Sequence, residues 1–479
     1  MDPLATLMKL SEALDLRAKE VAEAEAWYSG EHPIPEPPAN TAAASDAESR
    51  IAFQRMARLA VTNFLPAVVD VPAARLNNEG FHFSQSPAST DTEAWDIWRR
   101  NHLDGDSDLT EHAALRCGTS PVLVWVTTDG KAEVTVEDPA QVVVAYEPGS
   151  RRKRKAALKR WLNDDGRTYA TLYTPDRVYK YQSTGRATNT NLVVPQFGRM
   201  AWEQRIVAGE EWPVRNPWGV VTMVEVRANP GLAAAPYGGG ESEFAGQINE
   251  QRKINQTVMN MLVTMEHQAF RQRWATDWDY PVDIDGKPDK AAMLKASASR
   301  LMVFNNEDGK TTPKVGEFAQ ANFQPFLEAL EFWVNTISTG SGTPPYAFTL
   351  GNMMNVAADM MARIEGVQSD KLKVHSRNFG EAWSEVMRLA LLVEGNPKAA
   401  DPAITVVWGE FDRRTATEQA NLAQIAHNLG APKEAVFAML PAVDQSEAKR
   451  WVVEGIADEL RAATTAPPAP APVNDAPAA

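Results

Sequence analysis

From Met353 to Gly395 the chain contains no proline, and apolar side chains recur at Val356, Met360, Ile364, Val367, Val374, Trp383, Val386, Met387 and Ala390, close to one every 3.6 residues. This spacing predicts one long helix over 357–395. At 1.5 Å per residue, about 40 residues span roughly 60 Å, about twice the diameter of a small domain, so neighbouring subunits are expected to help bury it. Just upstream, Thr339-Gly340-Ser341-Gly342-Thr343-Pro344-Pro345 must end the preceding helix, because proline lacks the amide and glycine relaxes the backbone. Before that break, Phe323, Phe326, Leu327, Leu330, Trp333, Val334 and Ile337 mark a shorter amphipathic helix, and Phe244, Ile248, Ile254, Val258, Leu262 and Met265 mark another. Glu241 and Glu243 fall where a helix N-terminus favours negative charge. The predicted order is helix, polar insertion, helix, loop, long helix.

The N-terminal half changes texture. Leu7, Leu10, Leu14, Val21 and Trp27 predict a helix over 4–28, stopped at Tyr28-Ser29-Gly30 and the proline-rich stretch Pro33 to Pro38. Further helices are expected over 49–63 or beyond, 91–102 and 108–117. Strands follow. Val122, Val124 and Val126 lead through Thr128-Asp129-Gly130-Lys131, a hairpin turn, to Val134 and Val136. Others are expected over 141–146, 156–162, 168–174, 177–182, near Arg205, and over 220–227. After the long helix, 404–408 reads as a strand, followed by helices over 417–429, 432–439 and 446–462. The alanine, proline and threonine tail after Arg461 has too few large apolar groups to fold.

Composition narrows the function. The 479 residues, 44% hydrophobic and 23% charged, suit a protein with a large core and about two to four domains. No apolar run reaches the roughly 20 residues needed to cross a membrane, and the charged, amphipathic N-terminus is unlike a signal peptide, so the expected place of synthesis is a cytoplasm with no membrane partner. Cys117 is the single cysteine, which excludes an intrachain disulfide framework; it is expected to act as a small buried hydrophobe. The net charge of −14 argues against tight general DNA binding, which needs lysine and arginine to neutralise phosphates. It leaves room for DNA that passes through without adhering.

Candidate chemistry is sparse. The chain lacks GxxxxGK[ST], HExxH, CxxC and GxSxG, so neither an enzyme nor a cofactor is expected. Gly238-Gly239-Gly240 ahead of a helix could hold an anion, but without a following lysine a hinge or close-packing site is the better reading. Ser150-x-x-Lys153 lies inside Arg151-Arg152-Lys153-Arg154-Lys155, where a solvated charged loop or edge strand is expected, with a phosphate backbone or a partner as its possible contact. Asp277, Asp279, Asp283 and Asp285 lack the glycine and final glutamate of a calcium loop. His112, His267 and His375 are expected to be packed or solvated, and the scattered tryptophans to anchor cores and interfaces.

Several segments together resemble the portal proteins of tailed bacteriophages, in particular the SPP1 portal-like family, from about Trp27 to Trp451. They are Trp27-Tyr28-Ser29-Gly30, Asn63 with Val68-Val69-Asp70 and Arg75-Leu76, Gly80-Phe81, and Ala113-Ala114-Leu115-Arg116-Cys117-Gly118 before a valine strand. Thr171-Leu172-Tyr173-Thr174-Pro175-Asp176 and Gly240-Glu241-Ser242-Glu243 leading to Ile254-Asn255 complete the series. The resemblance implies an α+β, mainly α chain with clip, stem, wing and crown, its long helices set around a β-containing wing. On that frame 1–236 is an N-terminal wing, 237–269 the first stem helix, 270–321 the clip and 322–345 the second stem helix. Residues 346–356 are the tunnel loop, 357–395 the long wing helix, 396–430 a wing strand and connecting helix, 431–462 the crown, and 463–479 a disordered tail.

The function so implied is a homo-oligomeric ring, in its usual form a homododecamer, at one vertex of the capsid. Double-stranded DNA is driven in through its channel by the terminase large subunit and later leaves. The ring also meets the major capsid or scaffolding protein and docks the head-completion adaptor; it is assembled in the bacterial host cytoplasm. Thr349, Leu350, Gly351, Asn352, Met353 and Asn355 of the tunnel loop are the implied DNA-channel residues, small, amide or apolar and without lysine or arginine. Two other readings are another head component, such as an adaptor or minor capsid protein, and a nucleic-acid-processing enzyme.

Overall fold

The computed structural model describes residues 2–37, 46–84, 90–186, 200–231, 236–269, 273–276, 301–304, 314–317, 321–348, 358–411, 416–440, 443, 448 and 450–456. The chain divides into two units, Met1–Phe411 and Asp412–Ala479.

The first unit opens with α1 (Pro3–Ser29), started by the Asp2 side chain, which accepts the Leu4 amide at 3.0 Å, and ended at Gly30 with φ 77°. Its buried Leu7, Leu10, Leu14 and Val21 are those the spacing predicted. The helix expected over 49–63 or beyond is α2 (Ala47–Leu59), which ends early, and a separate α3 (Leu65–Ala73) follows it. Side chains far along the chain stabilise the break. Gln251 and Asn255 accept the amides of Phe64 and Thr62, while Asn63 donates to the carbonyls of Trp27 and Tyr28. Backbone groups satisfied this way need no helical partner.

After β1 (Asn78–His82) come α4 (Thr92–Arg100) and α5 (Leu103–Cys117), then the strands β2 (Thr119–Val126), β3 (Ala132–Val136), β4 (Val142–Tyr146), β5 (Arg154–Leu162), β6 (Arg167–Tyr173), β7 (Arg177–Arg186), β8 (Trp202–Gln204), β9 (Val214–Arg215) and β10 (Met223–Arg227). Strands β10, β2 and β3 form an antiparallel sheet, and β4 to β8 form a second in sequence order, with β9 also on β7. Side chains alternate across a strand, and both sheets are covered on two faces. Val122 and Val124 of β2 enter the largest core while Leu123 enters another with Val142 and Val144 of β4; Val143 and Ala145 join a third core with Leu7, Leu10 and Leu14. Such double cover explains the unbroken apolar runs Val122–Val126 of β2 and Val142–Tyr146 of β4.

Helix α6 (Ile248–Ala269), preceded by a 3₁₀ turn at Ala245–Gln247, packs against α7 (Gln324–Ser341). Between them lies a small sheet with β11 (Arg273–Thr276) central, parallel to β12 (Leu301–Phe304) and antiparallel to β13 (Lys314–Glu317). The four aspartates 277–285 lie outside the described residues.

Helix α8 (Ala358–Val393) has 36 residues, about 54 Å of axis. Leu372, Phe379, Trp383, Val386, Met387 and Ala390 are buried in the largest core. Val367 and Val374 belong to the expected apolar row, yet they are 60% and 50% exposed. They lie a heptad apart on the other side of the helix, so they share a face with each other and not with Trp383. Finally β14 (Thr405–Trp408) pairs antiparallel with β1, joining chain segments more than 300 residues apart. In the second unit α9 (Ala416–Asn428) packs with α10 (Lys433–Ala438), and Trp451, in a helical turn within 446–462, meets Phe437 edge-on. No helix among the described residues is long and apolar enough to cross a membrane.

Candidate channel site

The implied channel residues Thr349 to Asn355 lie outside the described residues, but the arms that carry them are defined. Helix α7 ends at Gly342 with φ 68°, a left-handed cap that glycine adopts without strain. Ser338 Oγ then donates to the Thr343 carbonyl at 2.7 Å, and Pro345 opens a 3₁₀ turn through Ala347. Phe348 closes this arm against the edge of Phe64. The other arm is the start of α8.

Two polar ties join the arms to the body. In the first, Lys371 of α8 reaches both the Ser341 carbonyl, on the last residue of α7, and the Glu243 carboxylate. Glu243 is buried, its side chain 2% exposed; it also accepts from Asn229 Nδ2 at 2.9 Å and faces His375 Nε2 at 3.1 Å. Burial alone would raise its pKa, but His375 and Lys371 outweigh that and hold it down at about 2. Glu243 was expected to act at a helix N-terminus; it instead precedes the 3₁₀ turn and closes an ion cluster. In the second tie, Tyr346 donates to Glu365 of α8 at 2.6 Å and accepts from Arg75 Nη2 at 3.0 Å, with Arg75 3.5 Å from Glu365. Burial, then the Glu365 carboxylate, raises the Tyr346 pKa.

The basic run Arg151 to Lys155 sits at the entry of β5, where Ser150 Oγ accepts the amides of Arg152 and Lys153. That is the bland reading of the Ser150/Lys153 spacing. Arg152 meets Glu381 of α8 at 3.1 Å, both exposed, and Arg154 pairs with Glu385 while its Nε donates to the Val221 carbonyl. Two of the five cations therefore grip the long helix of their own chain, and Arg151 and Lys153 are exposed.

The triple glycine is a close-packing site. A Cβ on Gly238 would fall 1.9 Å from Glu225 Oε2, and one on Gly118 would fall 2.3 Å from the Gly240 carbonyl. Glu225 is itself buried between Arg17 and Arg227. Cys117, expected to be buried, is half-buried; burial, reinforced by Glu25, pushes its thiol up to about 12, so it is inert. Among the described residues no three His, Cys, Asp or Glu side chains are placed to hold a metal ion.

Spacing along the chain assigns no role to Lys371 and marks His375 only as a packed or solvated helix residue. Their signal was faint: a lysine and a histidine one turn apart on a buried helix, with an acid in Gly240-Glu241-Ser242-Glu243 to meet them. A family model described as phage portal protein, SPP1 Gp6-like, matches residues 7–459. The chain belongs to this family. It is 24% identical over 429 residues to the portal protein of Mycobacterium phage D29, covering 84% of this chain and 80% of that one. With the portal protein of Mycobacterium phage L5 it shares 24% over 376 residues, covering 74% and 70%. The family match takes in both polar ties, the arginine contacts with α8 and the glycine close contacts.

Proposed function

We propose that this chain is the subunit of a ring, a homododecamer, at a unique capsid vertex, forming the channel through which the terminase motor packages double-stranded DNA and through which the genome leaves. The observation that carries this reading is a family match over nearly the whole chain, in keeping with two packed helices around a small sheet and a long helix after the intervening loop. On this reading α6 and α7 are the stem, 270–321 the clip, 346–356 the tunnel loop, α8 the wing strut, and 431–462 the crown. Exposed Leu327 and Phe332 on α7, with Val367 and Val374 on α8, are then faces for neighbouring subunits. The clip meets the terminase large subunit and later the head-completion adaptor, and the outer body meets the major capsid or scaffolding protein. Thr349, Leu350, Gly351, Asn352, Met353 and Asn355 line the narrowest passage, and Arg151, Lys153 and Lys155 remain for a phosphate or a partner. The role is non-enzymatic and needs no cofactor, and assembly takes place in the host cytoplasm.

Electron microscopy of the purified protein tests the ring directly: rings are expected, and a stable monomer with no rings in particles would overturn the reading. Gly351→Asp or Asn352→Trp is expected to impair DNA filling while rings still form, because bulk or negative charge would meet the duplex. Normal filling would remove this loop from the channel.

A further inference from the structure

We propose that Glu243, Lys371 and Tyr346 are positioning residues of the channel, clamping both arms of the loop between α7 and α8 to the rest of the subunit. The proposal rests on the channel reading above. The two arms are cross-tied twice, by Lys371 to the Ser341 carbonyl and by Tyr346 to Glu365. Each tie has a third anchor outside the arms: Glu243 ahead of α6 for the first and Arg75 after α3 for the second. The aliphatic stem of Lys371 also lies beside the α7 cap, with its Cδ 3.7 Å from the position of a Cβ on Gly342.

The chemistry of the first tie favours positioning over simple cohesion. A buried ion pair adds little stability over well-packed apolar side chains, since desolvation offsets the attraction. What it supplies is direction. The Glu243 carboxylate meets Lys371, His375 and Asn229, and Lys371 shares its ammonium with a helix-terminal carbonyl. These contacts tie the α6 lead-in, the α7 end and α8 to one another in a single cluster. Force exerted on the loop by moving DNA therefore passes into the stem through Glu243 and into the wing through Arg75, and the arms keep their spacing.

The test uses particles assembled with the full-length variant chain. The double variant E243Q/K371M removes both charges together, so its rings are expected to form and to melt near the wild-type temperature. DNA filling is expected to fall, and hydrogen exchange in these rings to quicken over 342–348 and 366–371 alone. Y346F, which loses one hydroxyl from the second tie, is expected to lose filling to a lesser degree with rings intact. It decides the matter if the double variant does not assemble. Wild-type filling in rings of either assembled variant would overturn the clamp, as would exchange that quickens evenly over the whole chain. If the wild-type chain itself makes no rings, the channel reading fails, and that outcome is distinct from failure of the clamp.

Discussion

Glu111 and Glu243 are both buried carboxyls packed against α8, yet their pKa values are shifted in opposite directions. Glu111 of α5 lies under Trp383, whose Nε1 donates to it at 3.2 Å. Burial dominates there, and with Asp108 nearby it pushes the carboxyl up to about 8, so Glu111 is largely protonated at neutral pH. Glu243 is also buried, 7% exposed against 1% for Glu111, but His375 and Lys371 keep it ionised, with its pKa held at about 2. Burial sets the cost of the charge, and the donors decide whether the carboxyl ionises. The core around Trp383, Trp98 and Phe81 offers one indole N–H, whereas the junction at the loop arms offers a lysine, a histidine and an amide. The same helix thus carries a neutral carboxyl contact at Trp383 and an ionised one at Lys371 and His375.

The sharpest way to break this contrast is Glu243→Gln, which leaves Lys371 with the Ser341 carbonyl but no counter-charge and is expected to cost about 3 kcal/mol at pH 7. Glu243 has a folded pKa below its ordinary 4.5, so its contribution is present above that value and is lost as pH falls towards 2. Denaturant unfolding across pH 2 to 7 should show the variant flatter than wild type in that window.

Glu111→Gln should act in the opposite sense. A carboxyl whose pKa is raised from 4.5 to about 8 binds more protons folded than unfolded between those values, so it weakens the fold as pH rises through that range. Glutamine still accepts from Trp383, and the variant is expected to gain on the order of 2 kcal/mol at pH 8 and nothing at pH 4. A gain that does not vary with pH would contradict the protonated state of Glu111.

The smallest effects separate the two arginines that grip α8. Arg154 has a side chain 10% exposed and a bond to the Val221 carbonyl, and Arg154→Ala is expected to cost about 1–2 kcal/mol. Arg152 and Glu381 are 84% and 69% exposed, and Arg152→Ala should lie within about 0.5 kcal/mol of wild type. Thermal midpoints of the two variants, measured side by side, check this order.

Much of the architecture was legible from spacing. The break before Gly342, the long α8, the hairpin of β2 and β3 and the β-rich middle follow from helical period, proline, glycine and valine runs, because those signals act locally. The stop of α2 at Leu59, ahead of a separate α3, was not legible, since the amides of Phe64 and Thr62 are taken up by Gln251 and Asn255, 187 and 193 residues on. Nor was β1, whose Asn78-Glu79-Gly80-Phe81-His82 has little strand character and is held in place by β14. At the channel arms, the glycine-proline break was visible and the ties were not.

By itself the sequence determined the order of elements, the absence of familiar catalytic motifs and the family, because each depends on neighbouring residues or on their order along the chain. Only the tertiary structure decided which charges meet. It turned part of the basic run into a grip on α8, set Glu243 against Lys371 and His375, and left Glu111 protonated beneath Trp383. Coulomb and desolvation energies depend on distance and burial in space, and periodicity along a chain records neither.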